Sequence, residues 1–157
     1  MLFRSISGRD TTRIFHMPTS VIAFISGVTL SNGHAVDGAL IASGGQLFLS
    51  HALLRRGFAS GVGGAIRHTG TQLSLNNVRF SGCQALNGGG AVAVSAAGPV
   101  SFANCDFDRN ASLRNGGAAE VYTADFSILG SSFTGNTAGA RGRSEEHTSE
   151  LQSRQSI

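Results

Sequence analysis

The chain has 157 residues, 22 of them glycine, with 41% hydrophobic residues and a formal net charge of +3. This length provides one domain with its own core, and the apolar content excludes a disordered chain. All twelve basic residues are arginines scattered along the sequence, and this distribution does not indicate a nucleic-acid surface. Nucleic acid is therefore not an expected partner.

The sequence shows no segment that would insert into a membrane. No run approaches the ~20 apolar residues of a membrane-spanning helix. The early apolar run at residues 21–25 is too short for a secretion signal and lacks the charged start and cleavage site of one. We therefore expect neither a membrane span nor a signal peptide in this stretch of chain.

Regular patterning begins after the first twenty residues. Residues 1–21 mix arginine with serine and threonine without a clear period, and we predict an irregular lead-in there. From Ile22 apolar and polar residues begin to alternate, which is typical of β-strands. Residues 22–142 are therefore predicted to be the folded part of the chain.

This folded part contains a repeat of 26–27 residues. Each copy opens on glycine and alanine and closes on a large apolar residue. The opening alanines are 26, 26 and 27 residues apart, and the closing residues are 26, 27 and 26 apart. The openings are Ala39, Ala65, Ala91 and Ala118, and the closings are Leu54, Phe80, Phe107 and Phe133. Such a period without a helical pattern inside it predicts a β-solenoid.

Each copy divides into three short strands with two inward residues apiece, because residues two apart share one face of a strand. In the second copy the pairs are Ile66/His68, Leu73/Leu75 and Val78/Phe80; in the first copy the opening pair is Leu40/Ala42. We predict an all-β, right-handed parallel β-helix of about four coils. The closing phenylalanines should stack in one interior column.

The repeat motifs resemble those of a known family. Gly-Gly-Ala-Ile at residues 63–66 and Gly-Gly-Ala-Val at 89–92 resemble the first repeat motif of the polymorphic outer membrane proteins. The stretches 107–110 and 133–136 resemble their second motif, a Phe and an Asn three residues apart, although Cys83 replaces that Asn one copy earlier. The resemblance covers about residues 22–142. It implies a pectate-lyase-like fold and a surface-exposed or secreted protein involved in adhesion.

The C-terminal segment, residues 143–157, breaks the repeat. It is polar, does not alternate, and holds three of the nine acidic residues. It resembles the conceptual translation of a sequencing-library adapter, so we predict a non-native or disordered tail. Residues 1–142 alone carry ten arginines against six acidic residues, a charge of +4.

Asp106, Asp108 and Arg109 are the candidate catalytic residues. The two carboxylates flank Phe107, should project outward, and have Cα atoms ~7 Å apart. Such a pair can bind Ca²⁺ or act as acid and base on a sugar, with the arginine beside it. Arg79 occupies the position of Asp106 one coil earlier, so we favour a surface ion pair, worth at most about 1 kcal/mol. Asp108 is expected to be exposed and of little consequence for stability.

No cofactor is predicted. The five histidines lack metal-ligand spacing, so no metal site is expected, and His68 should face inward near a corner with its ring hydrogen-bonded. Cys83 and Cys105 lie out of register with each other and are predicted to be free thiols.

Residues 110–112 form a glycosylation sequon, Asn-Ala-Ser. We favour a different role for its asparagine. Asn110 and Asn136 occupy the same position of successive copies, so their amides should stack and bond the backbone of neighbouring coils.

These observations favour a structural or adhesive binding module from an extracellular or cell-surface β-helix protein. Its expected partner is a polysaccharide or a host cell-surface ligand, and the exterior serines Ser74, Ser101 and Ser127 fit such a module. The alternative is a polysaccharide lyase or glycoside hydrolase of the pectate-lyase-like fold. A third possibility is a degenerate repeat without a function of its own.

Overall fold

The computed structural model describes residues 4–139 and the backbone of residues 155 and 156. These residues contain no helix, and their strands stack in parallel as a β-solenoid of about five coils. The predicted fold class is thus confirmed. No helix in the described part of the chain has the length and apolar character needed to cross a membrane.

The strands are short and recur in the same order in each coil. They are β1 (Arg4–Ser7), β2 (Phe15–Met17), β3 (Ile22–Ser26), β4 (Val28–Ser31), β5 (His34–Ala35), β6 (Ile41–Ser43), β7 (Gln46–Arg55), β8 (Phe58–Ala59), β9 (Ile66–His68), β10 (Gln72–Ser81), β11 (Gln84–Ala85), β12 (Val92–Ser95), β13 (Val100–Ala103), β14 (Asp106–Asp108), β15 (Ala111–Ser112), β16 (Ala119–Tyr122), β17 (Phe126–Leu129), β18 (Ser132–Thr134), β19 (Thr137–Ala138) and β20 (Gln155–Ser156).

The strands form three sheets that run along the solenoid. The first sheet has nine strands, ordered β1-β4-β7-β10-β13-β17 with β3, β14 and β18 beside them. The second has six, ordered β2-β6-β9-β12-β16-β20, and the third has five, ordered β19-β15-β11-β8-β5. Among the described residues the strand pairings are parallel, except that of β16 with β20.

Strand β10 shows how the sequence produces a coil. Leu73, Leu75, Val78 and Phe80 are buried, whereas the residues between them face outward. The alternation shifts at Asn77, whose φ is +52°. A left-handed residue bends the strand, so its two halves line two sides of the interior.

Left-handed residues mark the corners of every coil. One column of them consists of Gly27, His51, Asn77, Asn104 and Gly130, a second of Asn32, Arg56, Gly82, Arg109 and Gly135, and a third of Gly38, Gly63, Gly89 and Gly116. Glycine or asparagine occupies most positions because these residues tolerate positive φ best. The left-handed backbone conformation at the corners therefore explains why glycine and asparagine recur there in each copy.

The interior is a set of columns of like residues. The rings of Phe80 and Phe107 stack with centroids 4.7 Å apart, and those of Phe107 and Phe133 do so at the same distance. Leu54 continues the column through its pairing with Phe80. The predicted phenylalanine column is confirmed.

Asn110 and Asn136 form the predicted polar ladder. The Asn110 amide donates to the carbonyl of Phe80 at 3.2 Å, and that of Asn136 donates to the carbonyl of Phe107 at 2.8 Å. Asn110 Nδ2 also donates to Asn136 Oδ1 at 2.9 Å. Asn110 is fully buried, so in the folded chain it is not accessible for glycosylation.

The first repeat copy is one residue out of the predicted register. Ile41 pairs with Ile66, and the Leu40 amide donates to the Ala65 carbonyl, so Leu40 rather than Ala39 matches Ala65. The reason is the corner. Gly38 has φ +57° and occupies the place of Gly63, leaving Ala39 in the place of the second glycine.

The segment predicted to be an irregular lead-in contributes strands. β1 pairs with β4, and β2 pairs with β6, both in parallel. Ile14 and Phe15 pack against the core, and Met17 is part of it. These apolar residues are too few to produce a recognisable repeat in the sequence, but they pack over the exposed end of the core formed by the following coil.

Part of the predicted tail also forms a strand. Residues 155 and 156 pair antiparallel with Val121 and Glu120 of β16, where the edge of the second sheet offers unpaired backbone groups. Residues 143–154 and 157 lie outside the described residues.

We predict that removing a ring from the phenylalanine column costs far more than removing an exposed ring. Phe107→Ala should lower the free energy of unfolding by about 3–5 kcal/mol because it leaves a cavity between two stacked rings. Phe24→Ala removes a ring that is 76% exposed and stacked only on Phe48, so it should cost less than about 1 kcal/mol. Urea unfolding of both variants measures the difference. Equal losses would contradict the assignment of inner and outer faces.

Replacing an arginine at a left-handed corner should stabilise the chain. Arg56 is exposed with φ +52°, and glycine holds the same corner one coil later at Gly82. Arg56→Gly should raise the free energy of unfolding by about 1 kcal/mol because the steric strain disappears.

The neighbouring residue Arg55 is the matched control. It is exposed and ends β7 in extended conformation, so Arg55→Gly should destabilise by about 0.5–1 kcal/mol. Urea midpoints that move in the same direction for both variants would show that the corner conformation does not decide the effect.

Candidate functional site

The predicted catalytic residues do lie together, in a network of ion pairs on the first sheet. Arg79 Nε lies 3.3 Å from Asp106 Oδ2, and Arg79 Nη2 lies 3.5 Å from Asp108 Oδ2. Arg109 Nη2 donates to Asp108 Oδ2 at 2.8 Å. The favoured ion pair of Arg79 with Asp106 is therefore present, and Asp108 belongs to the same network.

The prediction that Asp108 is exposed is wrong, because only 9% of the residue's surface is accessible to solvent. Its side chain does point outward from β14. Its register neighbours Ser81 and Thr134 are small, however, so the side chains of Arg79 and Arg109 can fold over it and cover it. Hydrogen bonds from Arg109 are the main reason that the pKa of Asp108 lies below its ordinary value, and the charges of both arginines add to this.

This network joins adjacent coils. Arg79 belongs to β10 and both aspartates to β14, the strand stacked on it, and Ser132 of the next coil donates to Asp106 Oδ1 at 2.9 Å. Arg79, Arg109 and Ser132 thus already contact the carboxylate oxygens that a sugar or a cation would need. In the part of the chain that the structure describes, no three His, Cys, Asp or Glu side chains are grouped so that they could hold a metal ion.

His68 faces the interior as predicted, but its ring lacks the predicted hydrogen bonds. It is fully buried beside Ser43 and Val94 in one column, and neither ring nitrogen has a hydrogen-bond partner among the described residues. Ser43 Oγ also lacks one. Burial, with a smaller contribution from the charge of Arg67, lowers the pKa of His68 to about 4.

Both cysteines are free, as predicted, and both are buried. Burial raises the pKa of the Cys83 thiol to about 12 and that of Cys105 to about 11. A nucleophilic cysteine requires the opposite shift, because the thiolate is the reactive form. The two thiols are therefore core residues without nucleophilic character at neutral pH.

One part of the first sheet, made of β3, β13, β17 and the residues of β7 and β10 that pair with them, carries no charged side chain on its outward columns. We call this surface the uncharged face. Its residues form three columns in strand register: Ile22, Gln46 and Gln72; Phe24, Phe48, Ser74, Ser101 and Ser127; Ser26, Ser50, Asn76, Ala103 and Leu129. All thirteen are exposed or half-buried. The three serines noted in the sequence lie in line with two stacked phenylalanines.

The second sheet carries a hollow that the sequence interpretation missed. It measures about 200 Å³, and its walls include Arg67, Ala93, Glu120 and Tyr122. The first three are the second residues of β9, β12 and β16 and lie in one outward column. The repeat alignment contained this signal, since it places an arginine and a glutamate at one position of two copies.

Comparison of the chain with protein-family models, with curated proteins and with solved structures finds no match. The fold and these surfaces therefore carry the functional argument.

The buried histidine should make the chain sensitive to mild acid. An unfolded histidine binds a proton near pH 6.5, whereas folded His68 does so only near pH 4. The unfolded state therefore binds more protons between these values, and stability present above pH 6.5 is lost as the pH falls. Between pH 7 and pH 5 the loss should be on the order of 1 to 2 kcal/mol.

His68→Leu should remove this loss and leave stability at pH 7 unchanged or higher, because two unpaired ring nitrogens disappear. Urea unfolding at both pH values measures it, with His16→Gln, a change at an exposed histidine, as control. If His68→Leu loses as much stability at pH 5 as the unmodified chain, another group causes the sensitivity.

Proposed function

We propose that the chain is a structural and adhesive module of an extracellular or cell-surface protein, and that its uncharged face binds a neutral polysaccharide. The observation that carries this proposal is the column of two stacked phenylalanines and three serines on that face. The repeat motifs shared in type with the polymorphic outer membrane proteins support the same class and location.

The phenylalanine pair is the first support. Phe24 and Phe48 stack with ring centroids 4.8 Å apart and planes inclined by 10°, although Phe24 is 76% exposed and Ile22, 58% exposed, lies beside it. Grouped apolar side chains on a soluble surface are typical of a contact site. A sugar ring offers both C–H groups for the aromatic faces and hydroxyls for polar neighbours.

The polar residues of the same face supply those neighbours. Ser50 Oγ donates to Ser26 Oγ at 3.0 Å, and Ser101 Oγ to Ser74 Oγ at 3.4 Å, so hydroxyls run from coil to coil. Hydroxyl and amide groups both donate and accept hydrogen bonds. Because they repeat at the ~4.8 Å spacing of the coils, the face suits a chain molecule better than a single small one.

The alternative, a polysaccharide lyase or glycoside hydrolase at Asp106, Asp108 and Arg109, has weaker support. Its carboxylates are held by Arg79 and Arg109, and the ion pairs of Arg79 link two adjacent coils. A glycoside hydrolase would need one carboxylate to donate a proton to the leaving group of the substrate. The depressed pKa of Asp108 makes it a poor general acid at neutral pH.

Binding to neutral polysaccharides tests the proposal. We expect the full chain to be retained by an insoluble neutral glucan, and Phe24→Ser to weaken retention about tenfold, which corresponds to about 1.4 kcal/mol. Leu113→Ser removes an apolar residue that is 67% exposed outside the uncharged face, and should leave retention unchanged.

Two results would count against the proposal. Equal effects of the two substitutions would remove the uncharged face from the interaction. Release of new reducing ends or unsaturated products from the polysaccharide, abolished by Asp108→Asn, would establish the enzyme instead.

A further inference from the structure

The hollow on the second sheet lies on a different sheet from the uncharged face. Its central column runs Ala42, Arg67, Ala93, Glu120 through β6, β9, β12 and β16. Arg67 and Glu120 are therefore two coils apart, with Cα atoms separated by roughly 10 Å. Ala93 between them has only a methyl group and lines the hollow, so no long side chain fills the space between the two charged residues.

The two carboxylate oxygens of Glu120 differ in their hydrogen bonding. The residue is 8% exposed, and its Oε1 accepts a hydrogen bond from the Tyr122 hydroxyl at 2.8 Å. Among the described residues Glu120 forms no ion pair, and no donor bonds its Oε2. Oε2 is not one of the fully buried unpartnered polar atoms of the described residues, and Glu120 lines the hollow, so this oxygen is accessible to a ligand there.

The backbone makes room for this carboxylate. Gly88 lies against Glu120, and a Cβ atom there would collide with Oε2. Gly88 does not have a positive φ, so its corner conformation does not demand glycine. The lack of a side chain at this position instead admits the carboxylate.

Arg67 is the opposite wall. It is half-buried, and within the described part of the chain its guanidinium has neither an ion pair nor a hydrogen bond. It contrasts with Arg79 and Arg109, which are both paired although their side chains are more than half exposed. An arginine and a glutamate thus line one hollow and do not meet.

We propose that this hollow binds a small zwitterion, with its ammonium group at Glu120 and its carboxylate at Arg67. A guanidinium can hold a carboxylate by two parallel hydrogen bonds, and a carboxylate with a free oxygen accepts from an ammonium. The volume of about 200 Å³ lies below that of pockets for drug-sized ligands and fits one small molecule. A neutral sugar would form hydrogen bonds here but would leave both charges unpaired.

Titration calorimetry on the full chain at pH 7 tests the site with probes of defined charge. The zwitterions are glycine, 4-aminobutanoate and 6-aminohexanoate, which differ in charge separation. Butanoate and butylamine each carry one of the two charges, and glucose carries none. We expect at least one zwitterion to bind tenfold or more tightly than either singly charged probe.

The variants separate the two walls. Glu120→Gln and Arg67→Met should each weaken binding of that zwitterion at least tenfold, and Ala93→Leu should abolish it by filling the hollow. Arg114→Met, at an exposed arginine elsewhere, should have no effect. Circular dichroism of each variant verifies the fold.

Three results would overturn the proposal: no measurable binding of any zwitterion, butylamine binding as tightly as the best zwitterion, or glucose binding that Ala93→Leu abolishes while the zwitterions do not bind. The last would make the hollow a sugar site. None of these results bears on the uncharged face, because the variants and probes differ from those used there.

Discussion

Register stacking is the constraint on which the rest of this structure depends. Each residue of a coil lies over its counterpart in the next at ~4.8 Å, so a side chain must be compatible with a near copy of itself above and below. Phenylalanine meets this demand by ring stacking, as between Phe80 and Phe107, and asparagine by amide hydrogen bonding, as between Asn110 and Asn136. Histidine does not, since His68 lies between Ser43 and Val94 without a hydrogen-bond partner among the described residues.

Stacking also explains why the charged residues are paired where they are. Arg79 and Asp106 occupy the same column in adjacent coils, so their side chains meet without any special arrangement of the backbone. On the second sheet an alanine separates Arg67 from Glu120, and the same two charge types do not meet. Opposite charges in adjacent coils therefore form an ion pair, whereas opposite charges two coils apart do not meet and can each contact a ligand.

The sequence predicted the contacts that follow from the register of the repeat, including the Asn110–Asn136 ladder and the Arg79–Asp106 ion pair, but not those that depend on how side chains fold over neighbouring positions. The inner faces of the second and third strands follow from alternation, and Leu73 and Phe80 lie where the pattern puts them. The predicted register of the first copy is wrong by one residue, because the alignment takes Ala39 as the counterpart of Ala65, whereas the corner glycine, Gly38, sets the register. The burial of Asp108 was not predictable in this way, since it results from arginines that fold back over small neighbours.

The separation of inside from outside is what makes such a chain a suitable scaffold for recognition. Substitution in an inner column disturbs two neighbouring coils at once, so those positions are confined to residues that stack. Outer positions carry no such demand, and one column accordingly holds Phe24 and Ser127 in the same register position four coils apart. The fold therefore does not require an exposed, stacked phenylalanine pair at the outer positions of the first sheet. It also does not require an arginine and a glutamate on either side of an alanine on the second sheet. We therefore propose contact functions for these two surfaces rather than for the ion-paired aspartates, whose contacts already account for their presence.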